Sequence, residues 1–97
     1  MESDMKKYLH VGFWFEGKPL DNSKLIDIFD EADDWLRYAP SCWILFTDKN
    51  QEYLVDKIRN IEKHNHSLLI FEVTFKNRQG WLTDEVWEWL AKKRDFE

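Results

Sequence analysis

From Tyr8 to Phe15 the chain alternates, with Leu9, Val11, Phe13 and Phe15 on one side and Tyr8, His10, Gly12 and Trp14 on the other. A period of two predicts a strand, and the first set is its core face. Glu16-Gly17-Lys18-Pro19 breaks it. Past a cap at Asp21 or Asn22, the apolar positions Leu25, Ile26, Phe29 and Ala32 recur at helical spacing, so a helix is predicted to run to about Asp33. Trp35 to Ala39 and Cys42 to Thr47 are β-favouring runs on either side of Pro40, which predicts a hairpin. Asn50 caps a second helix with the inner stripe Leu54, Val55, Ile58 and Ile61, and Asn65 suits its left-handed exit. Leu68 to Lys76 reads as the next strand, with Leu69, Phe71, Val73 and Phe75 alternating with Leu68, Ile70, Glu72 and Thr74. After a turn at Asn77 to Gly80, Thr83 caps a last helix. Leu82 and Trp87 are placed to form a hydrophobic staple there, and Lys92, Lys93 and Arg94 sit at its carboxyl end.

The order is β-α-β-β-α-β followed by a helix. This predicts an α+β fold, a single ferredoxin-like domain over residues 1–97 with a four-stranded antiparallel sheet and an additional C-terminal helix. Two helices on one face leave the other face open, to be solvated, covered by the last helix or paired with another chain. That face is expected to carry Tyr8, His10, Trp14, Leu68, Ile70, Glu72 and Thr74, too apolar to stay wet without a reason. Tyr8, His10, Trp14, Ile70 and Glu72 are therefore the expected interface of a homodimer.

Composition sharpens this expectation. Six tryptophans in 97 residues exceed what so small a core can hide, so some indole is expected at the surface. Alternation points to Trp14, with Trp89 on the inner face of the last helix and Trp81 at its entry. The apolar runs are too short to span a membrane and the amino terminus lacks a signal-like stretch, so the cytoplasm is the expected location. Cys42 is the one cysteine, which suggests a small buried hydrophobe. The net charge of -5 comes from the first half: residues 1–48 hold ten acids and five bases, residues 49–97 nine of each. An acidic chain without a basic stripe argues against a general nucleic-acid binder.

Candidate chemistry is sparse. Asp27, Asp30, Glu31 and Asp34 fall at i, i+3, i+4 and i+7, which predicts one acidic stripe along the first helix, a docking strip for a basic partner or a solvated outer face. No calcium-type loop accompanies these acids, and His64-x-His66 lacks a third ligand nearby, so no metal and no cofactor is expected. Ser41 and Cys42 show neither a base nor an oxyanion site beside them, so no catalytic residue is assigned and the reading leans away from an enzyme. The aromatics Tyr8, His10 and Trp14 on a sheet raise RNA recognition, but the basic, glycine-rich aromatic strand that such modules use is absent.

The stretch Pro40-Ser41-Cys42-Trp43-Ile44-Leu45, the strand Leu68 to Phe75 and the ending Asp84-Glu85-Val86-Trp87-Glu88-Trp89-Leu90 resemble a group of short bacterial and phage proteins. That group is similar in fold to the small dimeric nuclease-like protein of CRISPR spacer acquisition. The resemblance implies a ferredoxin-like fold that dimerises through its sheet. In the nuclease-like family an aspartate follows the end of the first strand, but here no acid occurs between Phe13 and Glu16, which speaks against nuclease activity. The expected function is thus a non-catalytic homodimeric interaction protein. Phage or mobile-element origin would direct it to a protein partner in a host defence system. The alternatives are a degenerate nuclease-like protein retaining nucleic-acid binding, and a small-ligand sensor with a tryptophan-lined pocket.

Overall fold

A computed structural model describes residues 5–15, 22–61, 66–74 and 78–92, leaving aside the side chains at 14, 15, 22 and 66. The elements are β1 (Lys7–Phe15), α1 (Asn22–Phe29), β2 (Asp34–Ala39), β3 (Cys42–Thr47), α2 (Gln51–Arg59), β4 (His66–Val73) and α3 (Asp84–Ala91). The four strands form one open sheet in the order β2-β3-β1-β4, and each adjacent pair is antiparallel. No helix among the described residues is long and apolar enough to cross a membrane. The break expected at Glu16 to Pro19, the exit at Asn65 and the first residue, Asn77, of the turn expected at Asn77 to Gly80 lie outside the described residues, as do Asp21, Lys93 and Arg94. Gly80 itself has φ +149°, a conformation that suits a residue without Cβ.

Alternation in β1 builds the first core. Leu9, Val11 and Phe13 are buried and pack with Trp43 and Leu45 of β3, with Leu25, Ile28 and Phe29 of α1, and with Leu54 and Ile58 of α2. Phe29, fully buried, lies between Trp43 and Trp35, with ring centroids 5.4 and 6.1 Å away. The helical spacing is thus explained as a face laid on the sheet. α2 opens as expected, since the Asn50 side chain accepts a hydrogen bond from the Tyr53 N–H at 2.8 Å. Thr83 occupies the corresponding position in α3 without a side-chain cap bond.

A second core lies on the other face, formed by Tyr8, Ile44 and Phe46 of the sheet and Val86 and Leu90 of α3. Leu82, Trp87 and Trp89 pack around it. α3 therefore lies across part of the face that two helices alone would leave open. Tyr8, expected at an exposed interface, is instead only 4% exposed, with the rings of Phe46 at 5.2 Å and Trp89 at 6.1 Å. The correction follows from the last helix: its apolar stripe needs a surface, and the Tyr8–Phe46 end of the sheet supplies one.

Two further expectations change. α1 ends at Phe29, four residues earlier than its spacing suggests. The Glu31 and Ala32 N–H groups donate to the Ile28 and Phe29 carbonyls three residues back, tightening the chain, and the Asp33 N–H already reaches Phe46 of the sheet at 2.9 Å. β4 has the opposite facing from the one expected. Its register with β1 sets Ile70 opposite Val11 and Glu72 opposite Leu9, on the α1–α2 side, and turns Leu69, Phe71 and Val73 to the other face. Both alternating sets of this strand are apolar, so alternation could not choose between them, and a one-residue shift reverses every side chain.

Candidate functional site: the open half of the sheet

α3 covers the face over β2 and β3 and leaves the β4 side bare. There, Leu69 is 63% and Phe71 42% exposed, two large apolar side chains two residues apart on one strand. Gly12 of β1 is opposite Leu69, so the surface beside it is low and open; a Cβ there would meet only the His10 Cε1 atom at 3.7 Å and the Leu69 oxygen at 3.9 Å. Ser67 is exposed on the same face, opposite Trp14. The Trp14 ring, expected to point here, lies outside the described residues.

His10 marks the border between the bare and covered halves. Its ring stacks on Phe71, with centroids 5.0 Å apart and planes 22° apart, and its Nε2 is 2.5 Å from the Tyr38 hydroxyl. Its Nδ1 is enclosed without a hydrogen-bond partner. Burial disfavours the charged ring, so the His10 pKa is lowered from its ordinary 6.5. Burial, with a hydrogen bond to Cys42, pushes the Tyr38 phenol up to about 12. Cys42, Tyr38 and His10 thus form a polar seam across β3, β2 and β1. No local pattern along the chain signals it, because the three residues meet only through the strand order and the irregularity in β2 between Arg37 and Ala39. A phenol that holds its proton so firmly is no base at neutral pH, and it stands between the thiol and the imidazole. The seam therefore lacks the direct nucleophile–base contact that covalent catalysis uses. Among the described residues, no group of three or more histidine, cysteine, aspartate or glutamate side chains could hold a metal ion.

The acidic stripe is not a stripe. Asp27 lies on α1, but Asp30 and Glu31 fall in the turn after it and Asp34 opens β2. Three of the four have local duties. Asp30 accepts from the Trp35 indole N–H at 2.9 Å, Glu31 from the Tyr53 hydroxyl, and Asp34 from the Trp35 backbone N–H at 2.9 Å while standing 3.9 Å from the Lys92 ammonium. The Glu31 bond is also the main reason that the Tyr53 phenol is raised above its ordinary pKa. Early termination of α1 is what scatters these acids.

The tryptophans other than Trp14 divide between core and surface. Trp43 is buried, Trp35, Trp87 and Trp89 are partly buried, and Trp81 is 99% exposed. Trp81 stands at the rim of a shallow groove of about 540 Å³ lined also by Arg37, Tyr38, Leu82, Thr83 and Val86. Arg37 is committed elsewhere: its Nε and Nη2 donate to the Pro40 carbonyl at 3.2 and 2.6 Å, and its guanidinium lies 5.3 Å from the Trp43 ring centre. It braces the β2–β3 hairpin.

No protein-family model, curated protein or solved structure matches this chain.

Proposed function

We propose that this chain is a non-catalytic interaction module of the ferredoxin-like class that associates with a second copy through the bare half of its sheet. The ferredoxin-like reading is supported by the order β2-β3-β1-β4 with every neighbour antiparallel, together with α1 and α2 packed on one face. The observation that carries the association is the pair Leu69 and Phe71, exposed side by side on a strand whose opposite face is anchored in the core. Such a patch gains roughly 25 cal/mol for each Å² of apolar surface removed from water, and a second copy is the partner every molecule of the preparation supplies.

The expected interface is thereby revised. Leu69 and Phe71 take the places first assigned to Ile70 and Glu72, His10 stays at its border, and Tyr8 serves the interior. Leu69→Glu and Phe71→Glu should each weaken the dimer at least tenfold in sedimentation equilibrium while leaving the far-ultraviolet dichroism unchanged, because each puts a charge on a surface that must dry. A wild-type chain that sediments as a monomer at high micromolar concentration would refute the proposal.

A further inference from the structure

Among the described residues β4 ends the sheet, so no described strand lies on the far side of its backbone. The bonding pattern tells which groups are free there. The Phe13 N–H donates toward β3, to Ser41 at 2.9 Å, and backbone groups alternate sides along a strand. Val11 therefore also turns to β3, and Ile70, opposite Val11, turns away from β1. The Ile70 carbonyl agrees, since it takes a bond from the Gln51 side chain of α2 at 3.4 Å rather than from β1. Leu68, Ile70 and Glu72 thus present their N–H and C=O groups outward.

The two edges of the sheet are not alike. β2 is six residues long, carries Asp34 and Arg37, is irregular between Arg37 and Ala39, and lies against α3. These are the devices by which a natural edge avoids adding strands. β4 has eight residues without proline, lysine or arginine, and Glu72 is its one acid.

We infer that β4 pairs antiparallel with β4 of a second copy, Ile70 facing Ile70 across a twofold axis, so that two sheets become one of eight strands. This rests on the self-association proposed above and specifies its geometry. A strand paired antiparallel with itself is twofold symmetric, so a second copy automatically presents the matching order. In this register Leu69 of each copy meets Phe71 of the other at the close, non-hydrogen-bonded positions, where Cα atoms approach to about 4.5 Å. The two exposed apolar residues thus cover each other twice over. Charge favours the same edge: in a chain of net charge -5, β4 offers a contact with one acid per copy. The two Glu72 residues stand opposite Leu68, four residues apart along the pair, roughly 13 Å and beyond a Debye length of about 8 Å. The Ile70 carbonyl has a second lone pair, so the Gln51 bond can persist.

Register is tested by cross-linking in a Cys42→Ser background. Leu69→Cys/Phe71→Cys should oxidise to a covalent dimer, whereas Leu69→Cys alone and Phe71→Cys alone should remain monomeric on a non-reducing gel. Cross-linking by Leu69→Cys alone would place the axis at Leu69 and overturn the register. The edge itself is tested by Glu72→Pro, which removes one outward N–H and no bond to β1; it should weaken the dimer at least tenfold in sedimentation with the dichroism unchanged. A wild-type dimer that shows neither the double-cysteine link nor an effect of Glu72→Pro sinks this pairing but leaves face-to-face association standing. A monomeric wild type sinks both.

Discussion

At the residue scale, Phe29 and His10 have the clearest consequences. Phe29 is fully buried between two tryptophans at the junction of α1 with β2 and β3, where no small side chain could fill its volume. Phe29→Ala should cost about 3–5 kcal/mol of unfolding free energy, as measured by urea denaturation. His10 imposes a pH dependence whose sign is fixed. Its folded pKa lies below the ordinary 6.5, so below that value the unfolded chain binds a proton that the folded chain resists. The contribution of neutral His10 is therefore complete above about pH 6.5 and is lost as pH falls from there through its lower folded value. Between pH 7.5 and pH 5.5, the wild type should lose more of its denaturation midpoint than His10→Phe; equal losses would contradict this account.

At the element scale, local signals and tertiary demands can be separated helix by helix. α2 has a working cap, and Asn50→Ala should reduce stability by about 1 kcal/mol because it orphans the Tyr53 N–H. The Asn50 signal was legible in sequence, since an Asx cap works within a single turn. α3 has no side-chain cap bond, so its place depends on the stripe of Val86 and Leu90 against Tyr8, Ile44 and Phe46. Leu90→Asp should detach it. The expected readout is increased binding of a hydrophobic dye at neutral pH, with the Phe29 core still unfolding cooperatively. A variant that binds no more dye than wild type would show that α3 docks by other means.

At the scale of the whole molecule, the sheet has one closed half and one bare half. α3 shields the β2–β3 side, where the groove beside Trp81 begins, and the β1–β4 side retains Leu69 and Phe71 at the surface. The asymmetry is what the proposed association uses. The proposed pairing through β4 would bury chiefly apolar surface, so raising salt from 50 to 500 mM should leave the sedimentation dissociation constant within about threefold, whereas a contact between charged strips would weaken steeply on screening. A dissociation constant that changes more than tenfold would shift the interface to charged residues.

Strand and helix periodicity, the hairpin about Pro40 and the Asn50 cap were all legible in the chain, because they depend on neighbours within a few positions. The inward set Leu9, Val11 and Phe13 was legible too, since alternation there contrasts with smaller or more polar residues. Three things were decided only by packing in three dimensions. Pairing with β1 chose the face of β4, since both of its alternating sets are apolar. α3 chose which part of the sheet stays bare, burying Tyr8 and leaving Phe71 at the surface. Strand order joined Cys42, Tyr38 and His10, residues up to 32 positions apart, into one polar seam. Periodicity says that a residue has a side. Which side is buried depends on what arrives from elsewhere in the chain.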